Sequence, residues 1–193
     1  LSADLDYPQA LIRSGDAIEA SGFTFAHATL ELWPTDSWTD DDWVTALQQP
    51  EVRRIAIANP DTAPYGQAAK KLLHDAGIWD RIAPKIVIGE NLAQTFQFVD
   101  SGNADIGFIG GSMVAPQAAP QRSGAKRSLV LPVTLPQGAI LLKRGRDNPA
   151  AAAFLHWLRS RTAQTILTKW GYQSGEAPGE PQATSTPPAP DPS

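Results

Sequence analysis

Ile55-Ala56-Ile57-Ala58 is an unbroken apolar run, and residues 64–76 behind it carry apolar side chains at helical spacing up to Gly77. A short apolar run bounded by turn residues predicts a buried strand, and the trailing glycine predicts a helix stop. The unit then repeats. Residues 85–88 read as a strand, Asn91 as the cap of a helix over 92–101 that Gly102 ends, and 105–109 as another apolar strand. Strands alternating with helices of about ten residues predict α/β units around a largely parallel sheet. On the flanks, residues 7–14 predict a short helix with Pro8 in its first turn and Gly15 behind it. Residues 23–33 alternate and predict a long strand, while Ser37 to Trp43 reads as a capped helix start with acids where the macrodipole favours them. Residues 129–142 are extended, and Pro132 and Pro136 confine parts of them to edges or connections. Asp147-Asn148-Pro149 opens one long helix over 149–169, carried by Phe154, Leu155, Leu158, Ile166 and Leu167 and stopped by Gly171. From Gln173 onward the chain turns to Pro, Ser, Thr, Gly and Ala, which predicts a disordered Pro-rich tail over 173–193.

Composition narrows the function classes. The 193 residues are 42% hydrophobic and 19% charged with net charge −4, an ordinary globular balance with room for one large domain or two small lobes. The mild acidity argues against nucleic acid as a partner, which calls for a basic stripe. No apolar run approaches the ~20 residues of a bilayer span. Without cysteine there are no disulfides, no thiol catalysis and no cysteine metal site, which suits cytoplasm or periplasm. The chain opens on Leu1-Ser2-Ala3-Asp4, and its single methionine is Met113. Leu1 reads as the end of a buried strand, and the chain as a piece of a longer protein.

The candidate chemistry lies at strand ends. Asn59-Pro60-Asp61-Thr62-Ala63-Pro64-Tyr65-Gly66 leads from a strand into a helix start, where free backbone N–H groups can hold an anion. No Lys or Arg lies between Arg54 and Lys70, so dipoles rather than a counter-charge would hold it. A plain connection with Thr62 as the cap explains the same residues. Gly89-Glu90-Asn91-Leu92-Ala93-Gln94 repeats the design, and ligands of open α/β sheets sit outside the carboxyl ends of strands. Ile106-Gly107-Phe108-Ile109-Gly110-Gly111-Ser112 is a third strand end, whose glycines permit close backbone approach or simply make the turn. His27, His74 and His156 lack metal-ligand spacing, Ser2 and Ser112 lack a base, and Asp40, Asp41 and Asp42 read as helix-start charges. Trp33, Trp38, Trp43, Trp79, Trp157 and Trp170 read as packing residues. The pattern is that of a binder with no catalytic set, not an enzyme.

Those three loops, with Gly102-Asn103-Ala104-Asp105 and the closing Leu141-Leu142-Lys143-Arg144-Gly145, Asp147-Asn148-Pro149-Ala150 and Trp170-Gly171-Tyr172, resemble the periplasmic molybdate-binding proteins of molybdate ABC transporters over about residues 1–172. The resemblance implies a two-lobed architecture of the type II periplasmic-binding-protein kind, with a complete second lobe over 31–137 and a partial first lobe from 1–30 and 138–172. It implies a hinge near residues 29–33 and 136–139. It further implies a protein that captures molybdate or tungstate through backbone and hydroxyl hydrogen bonds and delivers it to a permease in the inner membrane. The expected protein is periplasmic, monomeric when full length and free of cofactor, with molybdenum bound only as the oxyanion. Tyr65 and Leu92 match positions that donate hydrogen bonds to the oxyanion, chiefly through backbone N–H. Gly110 falls where some members carry a Tyr whose hydroxyl reaches the ligand, so that contact is lost or replaced. A purely donor site selects unprotonated dianions over phosphate forms that carry a proton. The family's first strand and two Ser- or Thr-bearing loops would precede Leu1, so this chain is expected to hold half of the oxyanion site, with unpaired sheet edges. The alternatives are an effector-binding or sensory domain of the same fold, or a binder of another tetrahedral oxyanion such as sulfate.

Overall fold

Two long strands, β1 (Ala17–Trp33) and β5 (Leu129–Leu142), run antiparallel from one end of the molecule to the other. The computed structural model describes residues 1–34, 42–115 and 127–175. Beside the C-terminal part of β1 lie β2 (Ile55–Ala58), β3 (Ile86–Gly89) and β4 (Ile106–Gly110), giving the order β3-β2-β4-β1-β5. A sixth strand, β6 (Tyr172–Ser174), pairs with β1 at residues 26–28. The sheet is mixed rather than largely parallel. β2 is parallel to β3 and β4, as the α/β units require, but β1 is antiparallel to β4, β5 and β6. β5 ends the strand order, which is where Pro132 and Pro136 cost least because an edge strand has one unpaired side.

Eight α-helices among the described residues surround this sheet: α1 (Asp6–Arg13), α2 (Trp43–Gln48), α3 (Pro64–Asp75), α4 (Trp79–Ile82), α5 (Leu92–Asp100), α6 (Gly111–Val114), α7 (Pro149–Leu158) and α8 (Arg161–Lys169). Strand alternation decides which faces they cover. Ile55, Ile57, Ile106 and Phe108 point to one face and pack with Tyr65, Ala69 and Leu73 of α3. Ala56 and Ile109 point to the other and pack with Trp33 and Val99, against Phe96 and Phe98 of α5. A third, smaller cluster at the far end joins Phe23, Ala139 and Leu158. The two βα units thus hang their helices on opposite faces, with the starts of both at the same edge of the sheet.

Several expectations need correction. The single helix over 149–169 is two helices. Ser160 accepts a hydrogen bond from the Ala163 N–H (3.2 Å) and starts α8, while the Gln164 amide donates to the Leu158 and Phe25 carbonyls, both 2.9 Å away. A helix end with its own cap and a satisfied carbonyl gains nothing by continuing. β1 begins at Ala17, earlier than the alternation at Phe23 suggests, because β5 supplies partners at Leu141 and Leu142. Gln173 and Ser174 belong to β6 rather than to a tail, and residues 176–193 of that expectation, with 37–41 of the proposed helix start, lie outside the described residues. Within that start Asp42 does cap α2, accepting from the Thr45 N–H at 2.9 Å. Leu1 is 68% exposed rather than the end of a buried strand, and it is Ser2 that bridges Gly138.

Candidate site at the ends of the parallel strands

The loop between β2 and α3 is organised by Asn59. Its carbonyl accepts from the N–H groups of Thr62 (3.2 Å) and Ala63 (2.8 Å), its side-chain Oδ1 accepts from Asp61 N–H (2.9 Å), and its own N–H donates to the Gly89 carbonyl (2.8 Å). That last bond ties the first loop to the end of β3. The cap position is Ala63, not Thr62, and it offers no side-chain acceptor. Pro64 has no N–H to satisfy and sets the helical φ of the first turn. Gln67 is the first α3 residue whose N–H is taken, by the Ala63 carbonyl at 3.0 Å, so the Tyr65 and Gly66 N–H groups have no acceptor among the described residues.

The second loop does the same with a side-chain cap. Asn91 Oδ1 accepts from the Gln94 N–H (2.9 Å) and the Asn91 carbonyl accepts from the Thr95 N–H (3.0 Å). The Leu92 and Ala93 N–H groups are left open in the same way. Each helix therefore presents two main-chain donors and the positive end of its dipole, a favourable setting for an anion.

The third strand end brings the two helices together. An ideal Cβ on Gly110 would sit 3.1 Å from Tyr65 Cε1, 3.2 Å from Tyr65 Oη and 3.3 Å from Leu92 Cδ2. All three residues picked from the sequence thus meet at one point, and the space a side chain at 110 would occupy is filled by the Tyr65 ring. Next to it, Gly111 backs onto a buried polar pair in which the Thr29 hydroxyl donates to Glu31 Oε1 at 2.9 Å. A Cβ on Gly171 would stand 3.0 Å from the Gly111 carbonyl, and the following Tyr172 packs against the core cluster that holds Tyr65. Tyr172, Thr29 and Glu31 were not picked from the sequence. They reach this place through pairings between β1 and distant segments, which leave no local signal.

Burial, and then the neighbouring Tyr172, hold the Tyr65 hydroxyl well above the ordinary phenol range. It is a neutral O–H donor throughout the physiological range. The unfolded chain releases that proton near pH ~10 while the native state keeps it, so native stability should fall as pH rises beyond that point. Urea midpoints measured from neutral to strongly alkaline pH should show the fall, and Tyr65→Phe should flatten it.

The remaining candidates lie elsewhere. His74 is exposed and stacks on Trp79, with ring centroids 5.0 Å apart. Trp33 is buried, whereas Trp157 and Trp170 are 41% and 43% exposed. A groove of about 350 Å³ between α1, β1 and β5, lined by Leu5, Ile12, Phe23 and Ile140, is at the other end of the long strands. Among the described residues no helix is long and apolar enough to cross a membrane, and no cluster of three or more His, Asp or Glu could hold a metal ion.

The chain is similar to known binding proteins over most of its length. Residues 1–173 match the family model of the bacterial extracellular solute-binding proteins. The chain is 35% identical over 172 residues to the molybdate-binding protein ModA of Rhodobacter capsulatus, covering 89% of this chain and 67% of the relative. It is 35% identical over 173 residues to the corresponding protein of Azotobacter vinelandii, covering 89% and 69%. The solved periplasmic molybdate-binding protein of Azotobacter vinelandii superposes with a TM-score of 0.77 at 30% identity, over 89% of this chain and 75% of that one. A periplasmic thiamin-binding protein shares the fold alone, at 12% identity and a TM-score of 0.66 over 93% of this chain and 66% of that one.

Proposed function

The chain belongs to the bacterial extracellular solute-binding proteins, and on that premise we propose that it is the substrate-binding protein of an ABC transporter for molybdate. The observation that carries this is the meeting of Tyr65 and Leu92 over Gly110, with the open N–H groups of α3 and α5 at the same edge of the sheet. Four main-chain donors with no carboxylate among them suit an oxyanion that brings no proton of its own. Tungstate, of nearly the same size and charge, competes. The fold does not choose the ligand, since a thiamin-binding protein has it too. The choice of molybdate rests on the donor chemistry and on the two relatives at 35% identity.

In this reading residues 31–137 form one lobe, and residues 1–30 with 138–172 belong to the other. The chain crosses between them in β1 and β5, whose register shifts between Thr29 and Glu31, and such irregularities give a strand a place to bend. Lobe closure around the anion then signals occupancy to the inner-membrane permease, from the periplasmic side. The protein is a carrier without catalytic chemistry or cofactor, monomeric, and without a role in nucleic-acid binding.

Calorimetric titration with molybdate, tungstate, sulfate and phosphate tests the ligand. Molybdate and tungstate should bind comparably and well above the other two, and a preference for sulfate would overturn the assignment. The donors named above all lie within residues 31–137, one wall of such a cleft.

A further inference from the structure

The two pairs of open N–H groups belong to different helices, yet close contacts join them at a set separation. The β2–β3 ladder ends on the pair Ala58 and Gly89. Asn59 carries it one bond further into the loop, its N–H donating to the Gly89 carbonyl at 2.8 Å. On the α3 side, a Cβ on Gly66 would stand 2.8 Å from the Asn59 carbonyl carbon, so the first turn of that helix rests on Asn59. On the α5 side, a Cβ on Gly89 would stand 2.7 Å from both N and Oγ1 of Thr95. Thr95 is fully buried, and its N–H and hydroxyl both donate to the Asn91 carbonyl, at 3.0 and 2.9 Å. One helix start is thus tied to the other through Asn59 and Gly89. The Asn59 side chain holds the near end of that tie. Its Oδ1 accepts from the Asp61 N–H at 2.9 Å while its carbonyl accepts from Thr62 and Ala63, so a single residue closes the turn from β2 into α3. A short side-chain carbonyl can stand in for a peptide in such a turn, and an alanine cannot.

We propose that Asn59 is a positioning residue that sets the spacing between the donors of α3 and those of α5, and through it the preference for molybdate over sulfate. This rests on the oxyanion reading given above and deepens it. Asn59 acts through the N–H groups of Tyr65, Gly66, Leu92 and Ala93 and supplies no contact of its own. Molybdate and sulfate are both tetrahedral dianions at neutral pH, so neither charge nor the number of donors separates them. Sulfate is the smaller, and donors held apart at a set distance cannot close on it. A misplacement of about 1 Å can cost ~100-fold, which is ample to separate the two ions. Donors free to drift would accept either one, and the selectivity would be lost.

The test compares the wild-type chain, Asn59→Ala and Asn59→Asp by NMR titration with sodium molybdate and sodium sulfate, following main-chain amides. Asn59→Ala should lower molybdate affinity about tenfold and sulfate affinity less than about threefold, so that the ratio between them shrinks. Asn59→Asp keeps the acceptor for the Asp61 N–H, and its added charge opposes both dianions alike, so its ratio should stay within about threefold of wild type. An Asn59→Ala ratio equal to the wild-type one overturns the proposal, whether or not affinity has fallen, and leaves the oxyanion site standing if molybdate still shifts the Tyr65 and Leu92 amides. A ratio that collapses in Asn59→Asp as well overturns the role given to Oδ1. No amide response to molybdate in the wild type overturns the oxyanion reading and the positioning role with it. Hydrogen exchange in the ligand-free wild type keeps the proposal testable if Asn59→Ala does not fold. There the Asn59 and Asp61 amides should be protected at least about tenfold more than those of Tyr65 and Leu92. Equal protection would mean that the spacing is not set before the anion arrives, and rejects the proposal.

Discussion

Gly66→Ala should cost about 3 kcal/mol of stability, toward the upper end for overpacking a filled space. In a chain of this size that corresponds to a fall in melting temperature of roughly 6–12 °C. The new Cβ would stand 2.2 Å from the Ala58 carbonyl oxygen, 2.7 Å from its carbon and 2.8 Å from the Asn59 carbonyl carbon. Every one of those atoms is main chain, at the end of a strand paired on both sides. No rotamer change can relieve the overlap, so α3 must move away from β2. Doing so displaces the two N–H groups that open α3, and shifting binding groups by about 1 Å can cost ~100-fold. Molybdate affinity should therefore fall by that order, together with the melting temperature. A Gly66→Ala protein that melts and binds like the wild type would mean that the close approach of helix start to strand end is not needed at this site.

The same contact shows why the site was half legible in the sequence. The strand Ile55–Ala58, the Pro64 helix start and the Asn91 cap are each written within a few adjacent residues, and the elements begin within a residue of where those signals put them. Local sequence can say that two helix starts follow two strands. It cannot say that they face one another. That depends on the strand order, in which β2 lies between β3 and β4, and on the Asn59 N–H reaching the Gly89 carbonyl. The errors have the same origin. The break between α7 and α8 is held by Gln164, whose amide reaches the Phe25 carbonyl 139 residues earlier, against an apolar periodicity that runs straight through. β6 is polar and short, and it is a strand only because the 26–28 stretch of β1 pairs with it. Tyr172, Thr29 and Glu31 come to the site by way of such pairings. The family resemblance supplied the convergence that spacing alone could not.

Gly111→Ala is the informative counterpart, because its neighbours are side chains. A Cβ at 111 would lie 2.2 Å from both Thr29 Oγ1 and Glu31 Oε1. Both residues are buried, 6% and 8% exposed, and the 2.9 Å bond between them would have to open to make room. Overpacking with the loss of a buried hydrogen bond to a carboxylate should cost about 2–3 kcal/mol. The cost should be recoverable, unlike that at Gly66. In a Thr29→Ala, Glu31→Ala background the obstructing oxygens are gone, and adding Gly111→Ala should cost less than about 1 kcal/mol, a coupling of about 1–2 kcal/mol across the cycle. Urea unfolding of the four proteins measures this directly. Additive costs would show that the backbone turn at Gly110–Gly111 sets the penalty and that the Thr29–Glu31 pair merely sits beside it. Coupled costs would show that this pair braces the turn from the face opposite Tyr65. In that case loosening it should also weaken molybdate binding, since the turn it braces is the floor on which Tyr65 and Leu92 meet.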